Sequence, residues 1–122
     1  MSATTINNVN RTFTATATID AYLLTKVGND GTVAIATDSA SEAQIGFTSR
    51  QVNEGEATPI VLLNGGGSAF ATLSSTVTNA GTAVYAVAGG KVAATATTST
   101  AVIGYTAAAG GAADDVVEII LA

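Results

Sequence analysis

The sequence predicts a mainly β fold, a small barrel or sandwich built from two duplicated halves with little helix. Three observations predict it. The first is internal repetition: Ile45-Gly46-Phe47-Thr48 is answered by Ile103-Gly104-Tyr105-Thr106, an offset of 58 residues (104 minus 46). At the same offset Ile60-Val61-Leu62-Leu63 is answered by Glu118-Ile119-Ile120-Leu121. Phe13 matches Phe70, and Tyr22 pairs with Tyr85, which makes the second copy about five residues shorter between the Tyr and the Ile-Gly pair. The second observation is period-2 alternation in short runs punctuated by Gly, Asn and Asp, the signature of strands and turns. The third is weak helical periodicity: residues 40–43 and 107–113 are the helical candidates, and both are short or glycine-containing. Two copies fall short of the three or more that a repeat array needs. The halves are therefore expected to form one domain, each covering the other's apolar face.

The elements follow in order. Residues 1–11 are small and polar and read as a flexible N-terminal arm, with Asn7, Asn8 and Asn10 concentrated in it. Residues 12–19 alternate Thr with apolar or small residues and predict a strand with Thr12, Thr14, Thr16 and Thr18 on one face. Residues 22–27 are a second strand. Gly28-Asn29-Asp30-Gly31 turns the chain, because Gly, Asn and Asp tolerate positive φ. A third strand takes residues 32–37, a loop or single helical turn residues 38–43, and a short strand residues 45–48. Asn53-Glu54-Gly55-Glu56 is a turn, and residues 60–63 form a strand too uniformly apolar to be half exposed. Pro59 stands just before it, where a missing N–H costs least.

The Gly-rich joint at residues 64–68 separates the halves, which run over about 12–63 and 70–121, together one β domain over 12–122. Three successive glycines cost too much entropy for the interior of an element. The second copy opens with a strand at 70–77, turns at Asn79-Ala80-Gly81, and continues at 83–87. Gly89-Gly90 makes a tight hairpin into 91–95. Ser99-Thr100 is a loop, 102–107 a strand, 108–115 a Gly- and Ala-rich loop closed by two acids, and 116–121 the final strand.

Composition narrows the function. The 122 residues are 48% hydrophobic, much of it Ala, with 5% aromatic, so burial stabilises this chain less than a Leu- or Phe-rich one, and self-association or a partner would add to it. Without Cys there are no disulfides or thiolate metal sites, and without His the commonest general base and metal ligand are missing. Four Lys and Arg against nine Asp and Glu give a net charge of −5, which argues against a grip on nucleic acid or on anionic membranes. No apolar run approaches the roughly 20 residues of a membrane-spanning helix. The first 18 residues lack a basic segment followed by an apolar one, so no secretory signal is expected, and the chain should be made in the cytoplasm.

No reactive constellation emerges. Gly65-Gly66-Gly67 lacks the Gly-Lys-Ser/Thr ending and following helix of a phosphate loop and reads as a linker. Asp114, Asp115 and Glu118 are the densest acids, but a calcium loop needs six to eight oxygens, so they read as a solvated turn that keeps the last strand from pairing with strangers. Glu54 and Glu56 would need an aromatic-lined cleft for glycosidase chemistry, and the chain has three Tyr and three Phe in all. Lys26 and Lys91 have no motif around them. The Thr rows, echoed by Thr95, Thr97 and Thr98, do not repeat in the register an ice-binding face demands. Catalytic, cofactor and metal sites are all expected to be absent.

The second half carries a family resemblance. Gly81-Thr82-Ala83-Val84-Tyr85, then Gly90-Lys91-Val92, Thr95-Ala96-Thr97, Ile103-Gly104-Tyr105 and the closing Val-Glu-Ile-Ile-Leu resemble, in order, the capsid decoration (cement) proteins of tailed bacteriophages. Ala86-Val87-Ala88 stands where that family often has Trp and Asp, and the loop before Ile103 lacks its common Thr-Gly. The resemblance implies a β-tulip-like fold and a non-enzymatic virion protein on the capsid exterior. It implies the major capsid protein as partner, a homotrimer near local three-fold axes, and no cofactor. The candidate capsid contacts are Thr4, Thr5, Ile6, Asn7, Asn8, Val9, Asn10 and Arg11 of the arm, which could add a strand to a capsid sheet edge. The alternative is a carbohydrate- or surface-binding β module of fibre or adhesin type. That reading needs exposed aromatics, whereas the strand contexts of Tyr22, Tyr85 and Tyr105 predict burial.

Overall fold

The structure, a computed structural model, describes residues 10–37, 42–65, 67–97, 101–108 and 111–122. Among the described residues, ten strands form two five-stranded units. The first holds β1 (Asn10–Ala15), β2 (Leu24–Val27), β3 (Thr32–Ile35), β4 (Gln44–Thr48) and β5 (Ala57–Leu62), closed into a barrel in the order β1-β3-β2-β4-β5. The second holds β6 (Ser68–Thr72), β7 (Ala83–Val87), β8 (Lys91–Ala93), β9 (Val102–Thr106) and β10 (Val116–Leu121), as a sheet in the order β6-β10-β9-β7-β8. Starting both lists at the third strand of each unit gives the same cyclic order, so the two topologies are one.

The ladders match residue by residue. Leu24 faces Phe47 and Phe47 faces Val61 in the first unit, as Ala83 faces Tyr105 and Tyr105 faces Ile120 in the second. Both units carry a register shift at one place, between Thr25 and Lys26 and between Val84 and Tyr85. The turn after the second strand of each is a single 3-10 turn, with Asp30 and Gly31 at positive φ in one and Gly89 and Gly90 in the other.

These ladders correct three pairings drawn from the sequence. The last strands align as Ile60 with Ile119 and Leu62 with Leu121, an offset of 59, because Ile60 faces Thr48 as Ile119 faces Thr106. A run of four apolar residues matches its neighbour almost as well one step out of register, so the sequence cannot separate the two offsets. Tyr85 lies inside β7 at the position of Lys26 in β2. Tyr22 precedes β2 in the left-handed region (φ 64), where the second unit has Gly81 (φ 74). Phe70 faces Glu118 as Thr12 faces Pro59, so Phe70 answers Thr12 rather than Phe13.

Two boundaries also move. Asn10 and Arg11 belong to β1, not to an arm: they face Val61 and Ile60, and the Arg11 guanidinium lies 5.1 Å from the centre of the Phe13 ring. Pro59 stands within β5, facing Thr12, and is tolerated because the β4 ladder starts only at Ile60, leaving no partner for an N–H there. The Thr row ends early, since β1 stops at Ala15 and Thr16 turns its hydroxyl to the carbonyl of Val33 (3.2 Å).

Two apolar clusters hold the molecule. One fills the first barrel with Phe13, Ala15, Ile19, Leu23, Val33, Val52 and Ile60. The other lies inside the second unit, where Leu24, Ala36 and Phe47 from the outside of the first join Leu73, Val84, Val92, Ile119 and others. The reason is an incomplete closure. In the first barrel β1 and β3 pair in parallel over Thr14–Thr32 and Ala15–Val33. Among the described residues, the equivalent strands of the second unit form no ladder: Leu73, just after β6, makes a single parallel bridge to Val92 of β8, and the Ser74 N–H donates to the Val92 carbonyl at 2.9 Å. The segment around Tyr22 lies at the resulting seam, its carbonyl accepting from both the N–H and the hydroxyl of Thr72 at 3.1 Å. Gly90 packs there so closely that a Cβ would come within 2.8 Å of the Leu24 carbonyl oxygen.

Candidate binding surface

The sequence-predicted candidates disperse. Thr4, Thr5, Ile6, Asn7, Asn8 and Val9 lie outside the described residues, and Asn10 and Arg11 are the exposed start of β1. The three acids clustered near the end of the chain serve three separate ends: Asp114 pairs with the Lys91 ammonium at 2.6 Å, Asp115 accepts the Ala112 N–H at 2.9 Å, and Glu118 of β10 accepts from the Ser68 hydroxyl at 2.9 Å. Asp115 has a counterpart in the first unit, where the Glu56 carboxylate accepts the Asn53 N–H at 2.9 Å. These carboxylates pin turns. Among the described residues no group of three or more His, Cys, Asp or Glu could hold a metal ion.

Threonine hydroxyls do similar work inside. Thr48 donates to the Asp20 carbonyl (2.8 Å) and accepts the Leu23 N–H (3.2 Å); Thr106 donates to the Asn79 carbonyl (3.0 Å) and accepts the Thr82 N–H (3.1 Å). Each fastens the loop before the second strand of its unit to the fourth. The best-tied carboxylate is Glu42, which accepts from the Thr37 N–H (2.7 Å), the Thr37 hydroxyl (2.9 Å) and the Gln44 amide (3.0 Å), with Lys26 at 3.6 Å. Partial burial pushes its pKa up, but these hydrogen bonds and the Lys26 charge outweigh that and hold it below the ordinary value.

What the structure brings together is an apolar surface on the second unit. The outward positions of β6, β9 and β10 carry Phe70, Tyr105, Val116 and Ile120, exposed to 52%, 43%, 45% and 54%. The row Ser68–Ile120–Tyr105–Ala83 crosses four strands. Its equivalent in the first unit, Asn10–Val61–Phe47–Leu24, ends in side chains sealed beneath the second unit, Phe47 being 1% exposed. Where β1 and β5 of the first unit face solvent they are small or polar, with Thr12 opposite Pro59 and Thr14 opposite Ala57, and Val27 (37%) is the one exposed large apolar side chain of that unit among the described residues. Beside Phe70 a cleft of about 190 Å³ opens between the units, lined by Tyr22, Phe47, Val61, Ser68 and Phe70 among others. Phe70 meets Tyr22 edge to face with centroids 5.8 Å apart. Burying the exposed half of a Phe or Ile is worth about 1 kcal/mol.

The sequence hid this surface. Val-Val-Glu-Ile-Ile-Leu reads as a buried run, yet it alternates, with Ile119 and Leu121 inside and Val116, Glu118 and Ile120 outside. Tyr105, expected to be buried, is exposed, whereas Tyr22 and Tyr85 are half-buried. The signal was Glu118, one polar residue marking the face that the apolar residues two positions away share.

No protein-family model matches the sequence, and no curated protein matches it. Among solved structures, the chain is similar in fold to the N base of the head fiber gp8.5 of bacteriophage phi29. The TM-score is 0.64 at 18% identity, over 94% of this chain and 94% of that one.

Proposed function

We propose that this chain is a non-enzymatic structural protein of a tailed-phage virion. In this reading it binds the outer surface of the head through the major capsid protein, acts there as a homotrimer, and stabilises contacts between capsid subunits. The observation that carries it is the fold likeness to a phage head-fibre base, which spans nearly the whole of both chains. The surface supports it too. An open apolar face, with carboxylates engaged in pinning turns, suits attachment rather than chemistry. Copies held at symmetric positions would multiply weak contacts into lasting attachment.

The test is binding to purified expanded empty heads, followed by co-sedimentation and light scattering. Saturable binding in multiples of three per local three-fold position is expected, together with heads that resist heat better. Failure to bind the heads of the phage that encodes it would overturn the reading. Removing residues 2–9 while leaving β1 whole should abolish head binding without changing the fold; undiminished binding would remove the arm from the contact. The carbohydrate- or surface-binding alternative draws on exposed Tyr105 and Phe70. Chemical-shift changes at these two rings on titration with oligosaccharides would favour it.

A further inference from the structure

We infer that the outer face of the second unit is the contact between copies of this chain, seating the Ile120 face of one copy against the inter-unit cleft of the next. The inference deepens the self-association contained in the proposed function, and it rests on three independent observations. The first is the internal comparison. The row Asn10–Val61–Phe47–Leu24 is covered by part of this same chain, and its equivalent Ser68–Ile120–Tyr105–Ala83 is left open. Tyr105 stands in place of Phe47, keeping the ring and adding a hydroxyl, the choice suited to a face that is wet in the free molecule and covered in the assembly.

The second is shape. One side of the molecule projects Ile120 (54% exposed) and Tyr105, and the joint between the units offers an apolar cleft of about 190 Å³ floored by Phe47 and Val61. Projection and cleft adjoin, since Ser68 and Phe70, which line the cleft, stand opposite Ile120 and Glu118 of β10. A contact that seats the face of one copy in the cleft of the next repeats from copy to copy until a ring closes. The third is charge. Among the described residues the projecting face carries one charged group, Glu118, whose Oε2 accepts from Ser68. Arg50 directly follows Ser49, which lines the cleft; it is exposed and enters neither of the two ion pairs found among the described residues. A neighbour seated in this way brings Glu118 to the Arg50 side of the cleft, and a chain of net charge −5 gains an attraction where its copies would otherwise repel.

The experiment is sedimentation equilibrium of the purified chain without heads, over a wide concentration range. The wild type should associate reversibly. Ile120→Thr, whose side chain leaves the core untouched, should weaken association about tenfold or more, the loss expected of a central apolar contact. Arg50→Glu and Glu118→Arg should each weaken it, and the double variant Arg50→Glu/Glu118→Arg should restore it, an outcome that a merely structural role for either residue would not produce. Circular dichroism and thermal unfolding confirm that each variant is folded. A wild type that stays monomeric, an Ile120→Thr variant that associates like the wild type, or a double variant that fails to recover would each overturn the inference. Chains that bind heads but never one another would assign the face to a capsid subunit, defeating this inference and the homotrimer while leaving the head-binding part of the proposed function standing.

Discussion

The two units share a topology, a register and even their turn hydrogen bonds, yet they solve the problem of a core differently. The first closes its barrel with the parallel β1–β3 pair and fills it from its own residues. The second leaves a seam and takes Leu24, Ala36 and Phe47 from its neighbour into its core. Side-chain volumes follow. Across the first barrel stand Phe13, Ala15 and Val52; at the equivalent places in the second stand Ala71, Leu73 and Gly111. Large and small have changed places, and Leu73 occupies the room Gly111 leaves, since a Cβ there would lie 2.9 Å from the Leu73 Cδ1 and 3.0 Å from the Val117 Cγ1. Cores tolerate such exchange when total volume is kept.

The largest expected effect tests what the units hold in common. Gly46 and Gly104 lie against the backbone of the last strand; a Cβ at Gly104 would stand 2.6 Å from the Ile120 carbonyl oxygen, and one at Gly46 would collide with that of Val61. Gly46→Ala should cost about 3 kcal/mol or more and Gly104→Ala somewhat less, both read by urea denaturation. Equal, negligible losses would mean the strands can separate freely there.

The volume exchange is next. Leu73→Ala should cost about 3 kcal/mol through the cavity it leaves, and Gly111→Val about 2 kcal/mol through crowding. Made together they rebuild the Ala15–Val52 pair of the first unit, so the double variant should lose at least 1 kcal/mol less than the sum. Simple additivity would show that the two cores are not interchangeable.

A smaller effect sharpens a polar difference. Thr58 is fully buried, and its hydroxyl is the one buried side-chain oxygen without a hydrogen-bond partner among the described residues. Its counterpart facing Ala71, as Thr58 faces Phe13, is Val117. Thr58→Val should therefore stabilise by about 1 kcal/mol in thermal or urea unfolding.

The smallest effect concerns Glu42, which lies in the first unit. Its pKa in the folded chain lies below the ordinary 4.5, so its contribution is present above that value and is lost as pH falls through the folded pKa. The stability gap between wild type and Glu42→Gln, about half a kcal/mol, should shrink steadily below pH 4.5. A gap that is constant with pH would assign the loss to geometry instead of charge.

Ten strands were legible in the alternation and the turn residues, because period-2 burial and positive-φ glycines are local properties. The Ile-Gly repeat was legible as identical letters, and the ladders supply its cause, a tertiary one: both glycines meet a carbonyl of the neighbouring strand that no side chain could pass. Registers were harder. Tyr22 and Tyr85 look alike as letters but sit in a left-handed turn and mid-strand, and only the ladder reveals it. The candidate surface was hidden because exposure at Tyr105 and Ile120 depends on which unit ends up covered, a tertiary fact that identical local patterns do not encode.

The unequal closure also gives the chain an order of assembly. Synthesis delivers β1 to β5 before β6 appears, and that unit holds every strand it needs to close. When β6 to β8 emerge, the Tyr22 carbonyl and the side chains of Leu24 and Phe47 already stand as a template, and the seam forms against a finished surface. Had the open unit come first, its unpaired strand edges would have waited for any partner, the condition in which β proteins aggregate.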